Sequence, residues 1–411
     1  MLGNIFEVVS SIFSKYISRK ELIDILKSLS EIDTTNPPGN EYKIAPLISN
    51  YLRDIGMSVK RYEKVKNRTN VVGVIGRGYP KLAFFIHTDT VPVNINDWKY
   101  NPFKVKIVGD KVYGRGVVDN KGMFAVCYCA IKAYLLWLKE SNKKLSGSIY
   151  ILACADEEKG SKLGAKWLIP ILKKKGIIFD GAIVPDGGSI DRAVYGEKGV
   201  LHINILSKGK SSHGSTPQKG KNAIVPLAQL AVELSRIKFP KKWHPSFTPP
   251  SLNIGTFNGG LAKNVVPSEA KIGVDIRLPL GLEKDKVLEL IKAKIKNVKN
   301  KYPWSRFKIE IENFQSPHLA DKDSFIIKAL ANACKKVGIT LKLETIGGAS
   351  IAKFLTIHGI PSILHLPADM EQMHMPNEHT SISLLEKGIE IYAETIKNFC
   401  ETANVSKNTK K

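Results

Sequence analysis

With 411 residues, 43% of them hydrophobic and 24% charged, the chain is long enough for two cores and has the composition of a folded globular protein, not a disordered or fibrous one. A formal net charge of +24 admits an anionic small substrate or nucleic acid. Lys and Arg are spread along the whole chain, however, and no basic run carries the interleaved aromatics of a nucleic-acid platform, so nucleic acid is set aside.

The five cysteines are odd in number and show no CxxC spacing. Cys127, Cys129 and Cys154 lie in apolar runs, which suits buried thiols in a reducing, cytoplasmic compartment. No uninterrupted apolar run approaches the roughly 18 residues that would span a bilayer. The N-terminal stretch contains Glu7 and has no small-residue cleavage site, which argues against a signal peptide. Phe6, Val9, Ile12, Phe13, Tyr16 and Ile17 recur at helical spacing and predict a helix docked on its own domain or on a partner.

Residues 20–57 read as two helices around the loop "DTTNPPGNE", where Pro37, Pro38 and Gly39 break the helical pattern. Strand-like runs follow at 70–75, 82–86, 148–153 and 181–184, with helical patterns at 122–140 and 161–174 between them. That alternation predicts an α/β domain around a mixed, largely parallel sheet, covered by helices on both sides. The texture changes near Gly196. Strand, helix, strand, strand, helix and strand succeed one another up to "RFKIEIEN", the order of a ferredoxin-like α+β unit. The first texture then resumes with helices at 323–338 and 381–400 and short strands between them. The expected organisation is a discontinuous domain, 1–195 with 313–411, into which 196–312 is inserted.

Two phosphate-binding patterns fail. "GRGVVD" has Asp119 where a dinucleotide fingerprint needs its third glycine, and a carboxylate there repels a pyrophosphate. "GKS" at 209–211 has Asn204 where a phosphate loop needs glycine. No HExxH occurs. What remains is a set of polar residues that follow apolar strands: His87, Asp119, Glu157, Glu158 and Asp186, with His374 in a late loop. Strand carboxyl ends converge on one crevice in an open α/β sheet. Two imidazoles and several carboxylates gathered there are a donor set for zinc, cobalt or manganese. Each residue also has an ordinary structural use, as a helix cap, a turn residue or a hydrogen-bonded strand end.

The strings "TTNPPGNE", "HTDTVP", "YGRGVVDNKG", "DEEKGS" and "HMPNEH" together resemble the M20 family of metallopeptidases and amidohydrolases, over nearly the whole chain. That group includes acetylornithine deacetylase, succinyl-diaminopimelate desuccinylase, aminoacylase-1 and bacterial carboxypeptidases. The resemblance implies two divalent ions, zinc first, with His87 and Asp186 on one, Glu158 and His374 on the other, and Asp119 bridging. It implies Glu157 as general base and Asp89 as the residue orienting His87. It further implies that the inserted domain is a lid that forms a homodimer, through which His213 reaches the partner's site. Asn264 and Arg277 would hold a substrate carboxylate, and the backbone at Gly347 and Gly348 would approach it. The chain departs from the family pattern after these glycines, reading Ala349-Ser350-Ile351 with Lys353 in place of Thr-Ser-Asp with a nearby Arg.

The expected activity is hydrolysis of an amide in a small anionic N-acyl amino acid. A carboxypeptidase or dipeptidase of the same family is the alternative. A non-catalytic binding protein on a hydrolase scaffold is the reading from a different class.

Overall fold

The computed structural model describes residues 11–408, with side chains up to residue 401. Of the expected N-terminal helix, Phe6 and Val9 lie outside the described residues. Beyond them Ser14–Tyr16 forms a single 3-10 turn, and Phe13 is fully buried against Tyr134 and Trp137.

The chain divides into two compact units. The first comprises residues 1–195, 320–344 and 350–411; the second comprises 196–319 and 345–349. In the first, the strands run in the order Ser58–Glu63, Thr69–Arg77, Gly147–Cys154, Lys81–His87, Gly181–Val184, Ser362–His365, Arg192–Glu197. The middle four are mutually parallel, and the flanking pairings are antiparallel. Gly147–Cys154 is buried at every position, as expected of a strand with both faces covered. Ser58–Glu63, an edge strand with the polar sequence "SVKRYE", has no such signature and is invisible to a search for apolar runs.

Helix Lys121–Glu140 is long and apolar enough to cross a membrane by length and composition alone, so the sequence holds a longer apolar element than its uninterrupted runs indicate. Here it is mostly buried and packs against the terminal helix Ile382–Asn408 as a core helix. All five cysteines are buried and free.

The second unit is a four-stranded antiparallel sheet, ordered Ser251–Gly259, Glu269–Leu278, Gly199–Lys208, Arg306–Gln315. Leu201, Ile203 and Ile205 alternate with His202 and Asn204 along the inner strand. The apolar set packs with Leu227, Leu230 and Leu234 of helix Ile224–Ser235 and with Val287 and Ile291 of helix Lys284–Lys301. This unit extends beyond the expected boundary at 312, because the last strand stays paired through Phe314↔Leu201 and Gln315↔Val200 past a bulge at Ile311/Asn313. It also takes in 345–349, which the sequence places with the other domain. Lys198 N–H donates to the Ile346 carbonyl (3.0 Å), and Arg277 Nη1 donates to the Gly347 carbonyl (3.0 Å).

Candidate active site

The site begins with the strand Lys81–His87. Its residues Leu82–Ile86 are fully buried, so the backbone is fixed before it reaches His87, itself 1% exposed. Parallel pairing aligns His87 with Cys154 and Phe84 with Ile183. The loops that carry Glu157, Glu158 and Asp186 therefore leave the sheet at the same end.

Asp119 is the centre of the cluster. Its Oδ1 lies 2.8 Å from His87 Nε2 and its Oδ2 lies 3.0 Å from His374 Nε2. His87 Nε2 is also 4.0 Å from Asp186 Oδ1, and His374 Nε2 is 3.3 Å from Glu158 Oε2. Two triads thus share one carboxylate: His87, Asp119 and Asp186, and His374, Asp119 and Glu158. Ligand atoms of His87, Asp119 and Glu158, and those of His87, Glu157 and Asp186, also fall within 4.8 Å of one another. His374, with its side chain 56% exposed and φ of 62°, is the least enclosed member.

The electrostatics follow from crowding acids with two imidazoles. Burial pushes Asp119 up, but hydrogen bonds with His374 and His87 hold its carboxyl far below the usual carboxylate range. The same contact, together with Glu158, raises His374 to about 10. Burial lowers His87, yet Asp119 and Asp89 overcome it and raise the ring well above its ordinary value. Burial and then the charge of Asp186 push Glu157 well above the ordinary carboxyl.

Asp89 stands against the His87 ring and also holds the two glutamates. The nearest partner of His87 Nδ1 is the carbonyl oxygen of Asp89, at 3.0 Å; its carboxylate oxygen is 3.6 Å away. The carboxylate also accepts from the backbone N–H of Glu157 (3.0 Å), that of Glu158 (3.1 Å) and the Asn36 amide (2.8 Å). Asp89 therefore faces the ring with its carbonyl and, slightly farther away, its carboxylate, and the same carboxylate fixes the backbone of the two glutamates.

The donor set fits divalent cations. With Nδ1–H given to a carbonyl, the Nε2 lone pair of His87 faces carboxylate oxygens, an arrangement that needs a proton or a cation between them. Glu158 Oε1 is buried and has no hydrogen-bond partner among the described residues. Oxygen and imidazole donors without thiolate suit zinc, cobalt or manganese.

The remaining expected residues, His213, Asn264, Arg277, Gly347 and Gly348, lie in the second unit. His213 is exposed and sits beside Asn264: it bridges to Val265, and Gly214 N–H donates to the Asn264 carbonyl at 2.7 Å. Ser215 N–H donates to His213 Nδ1 (3.1 Å). Arg277 directs Nε and Nη2 at Asp275 Oδ2, at 3.2 and 3.0 Å. A side chain at Gly347 would meet no atom within 4 Å. In the first unit Ile351 is fully buried and Lys353 is 1% exposed, so two of the three departures from the family loop are buried positions.

A supporting network was not legible in the sequence. Asp156, at φ 64°, accepts from Leu163 N–H (3.0 Å) and from Arg68 (3.2 Å), while Glu41 accepts from Asp156 N–H (3.1 Å) and pairs with Arg68 (2.6 Å). Glu378 and Arg115 form a second buried pair at 2.7 Å. The one available signal is that Glu41, Arg115, Asp156 and Glu378 stand inside the motif strings; Arg68 lies far from all of them.

Known proteins bear on this arrangement. Residues 83–398 match the family described as Peptidase family M20/M25/M40. An acetylornithine deacetylase of Aliivibrio salmonicida is 29% identical over 391 residues, 93% of this chain and 98% of that protein. One from Aliivibrio fischeri is 30% identical over 381 residues, 91% and 95% of the two chains. Among solved structures, an M20 family metallo-carboxypeptidase from Sulfolobus solfataricus superposes with a TM-score of 0.75 at 22% identity, covering 92% of this chain and 99% of that one. A dinuclear metal-binding M20 peptidase from Bacillus subtilis gives 0.67 at 17%, covering 93% and 99%. At these identities the solved structures speak for the fold.

Proposed function

The chain belongs to peptidase family M20/M25/M40, a hydrolase of amide or peptide bonds, and from that premise we propose that it cleaves the amide bond of a small, anionic N-acyl amino acid. The observation that carries the proposal is Asp119, which offers one oxygen to His87 at 2.8 Å and the other to His374 at 3.0 Å. His87, Asp119 and Asp186 would hold one divalent ion, and His374, Asp119 and Glu158 a second; zinc is the first choice, with cobalt or manganese as alternatives. Bound there, such ions acidify a water and polarise the scissile carbonyl.

The protein's own part is proton handling and alignment. Glu157, fixed by the Asp89 contact to its N–H, accepts a proton from the attacking water. It returns that proton to the amine nitrogen as the C–N bond breaks, so that an amide and water yield a carboxylic acid and an amine. A carboxyl raised by burial and by Asp186 suits both halves of this transfer. His213 supplies a donor for the oxyanion from the partner of a homodimer. Because Nδ1 accepts from Ser215 N–H, the neutral ring carries its proton on Nε2. The edge strand Ser251–Gly259 and helix Ile224–Ser235 leave Phe257, Val225 and Val232 exposed, a surface that a second copy would cover. Five buried free thiols suit a cytoplasmic setting.

The test is hydrolysis of N-acetylornithine, other N-acetyl and N-succinyl amino acids, and dipeptides, with and without added metal. Metal-dependent turnover of an N-acyl amino acid is expected. Turnover confined to dipeptides replaces the acylase reading with a peptidase. No turnover, together with no metal uptake, leaves a binding protein.

A further inference from the structure

Glu378 follows His374 in the late loop, is fully buried, and has no part in the proton transfers above. Its carboxylate receives the backbone N–H groups of Gly116 (3.0 Å), Val118 (2.7 Å) and Asp119 (3.1 Å), together with Arg115 Nη1 (2.7 Å). Its own carbonyl accepts from Gly114 N–H (3.0 Å). The turn that aims three N–H groups at one carboxylate requires Gly116, whose φ is +88°; a Cβ there would also press within 3.3 Å of Lys121 and Thr90. The other arm of Arg115 points the opposite way: Nη2 reaches the His374 carbonyl at 3.4 Å, and the guanidinium lies 5.2 Å from the Trp98 ring centre.

Two segments far apart in sequence are thus clamped at one point. One, 114–119, ends in the carboxylate shared between the imidazoles. The other, 374–378, carries the half-exposed His374 in a left-handed conformation that a non-glycine residue keeps only under outside constraint. His87 meets the clamp only through the Asp119 carboxylate (2.8 Å) and is otherwise held by its buried strand and the Asp89 carbonyl, whereas the His374 side draws both Asp119 and His374 from the clamped segments. We infer that Glu378 and Arg115 are positioning residues that set Asp119 and His374 relative to each other, and so govern the ion on the His374 side, which takes two ligands from the clamped segments, more than the ion on the His87 side, which takes one. This rests on the two-ion reading above.

The reasoning turns on acceptor capacity. Glutamine at 378 keeps the shape but offers one acceptor oxygen where the carboxylate offers two, and it turns an N–H₂ toward donors. Outer-shell partners of metal ligands contribute about 10–100-fold in affinity. Full-length protein stripped with a chelator is titrated with Zn²⁺ against a competing fluorescent chelator, and the apo-protein's unfolding temperature is measured separately. Wild type is expected to take two ions. Glu378→Gln is expected to weaken one of them about 10–100-fold and leave the other within a few-fold. His374→Ala should weaken the same ion, and the double variant should lose no more than His374→Ala alone. Arg115→Lys, which keeps the charge but cannot bridge both segments, should show the same selective loss and serves if Glu378→Gln does not fold.

Equal weakening of both ions, additive losses in the double variant, or a lowered unfolding temperature with unchanged affinities would overturn the inference and leave Glu378 a purely structural residue. Wild type that binds one ion or none would instead overturn the two-ion reading itself.

Discussion

His87 and His365 occupy equivalent places in the sheet and have opposite characters. Each ends a buried strand, "LAFFIH" and "SILH", and both strands run parallel to and beside Gly181–Val184. Both rings are buried, at 1% and 0% exposure. Yet His87 is raised well above the ordinary imidazole, while His365 is lowered to about 4. Burial disfavours the charged ring in both. The difference lies in what each Nε2 meets: carboxylates of Asp119 and Asp186 for His87, the neutral carbonyl of Ile190 for His365. A buried strand-end histidine is therefore no site in itself; the carboxylates assembled around its outer nitrogen make it one.

The pair of glutamine substitutions breaks this comparison most directly. His87→Gln should reduce hydrolysis to background and lose bound metal, whereas His365→Gln should keep turnover within a few-fold, since Gln Nε2 can still donate toward Ile190. If His365→Gln is the inactive one, the contrast drawn from the charges fails. The next largest effect is at Glu157. Glu157→Gln should lower kcat by about 10²–10⁴ with metal content unchanged, because it removes proton transfer and keeps the shape. Metal loss in that variant would make Glu157 a ligand and reassign the base. A smaller effect tests a third histidine, one that is exposed and locally satisfied. His213→Ala should cost about 10²–10³ in kcat with metal content unchanged, the size of one lost oxyanion donor. Unaltered turnover would confine the chemistry to the first unit.

The parts of this molecule that were legible in sequence are those where side-chain type is itself the requirement. Buried parallel strands need continuous apolar runs, so Leu82–Ile86 and Ser148–Ala153 stand out. The alternation in "GVLHINIL" and the order of elements after it specify the ferredoxin-like sheet. His, Asp and Glu at strand ends draw attention because few other groups do metal and acid–base work. What stayed hidden depends on the backbone or on both faces being polar. Ser58–Glu63 is a strand by pairing alone. Segment 345–349 joins the second unit through main-chain carbonyls that accept from Lys198 N–H and Arg277. Glu378 and Arg115 lie within the motif strings, but three of the groups Glu378 binds directly are backbone N–H, which leave no trace in residue identity. For Asp89 the motif points to His87, and the contacts of its carboxylate with the Glu157 and Glu158 backbone N–H groups come in addition.

The smallest expected effect concerns stability and follows from the sign of the His365 shift. In the folded protein its ring stays neutral down to about pH 4, because burial outweighs the hydrogen bond to Ile190 and the nearby charge of Asp191. In the unfolded chain the same ring takes a proton near 6.5. Between these values the unfolded state binds the extra proton, so stability falls as pH drops from about 6.5 toward 4 and is unaffected by this group above that window. The full difference is on the order of 3 kcal/mol at the acid end. Carboxylates elsewhere add their own slopes, so the quantity to measure is a difference: urea unfolding of wild type and His365→Gln at pH 7, 6, 5 and 4.5. The gap between the two free energies should shift steadily in favour of the variant as pH falls. A gap that stays constant would mean that the folded ring takes up its proton at the same pH as the unfolded one and is charged in the fold below about 6.5. Both strand-end histidines would then carry charge, and the distinction between an imidazole facing carboxylates and one facing a carbonyl would lose its basis.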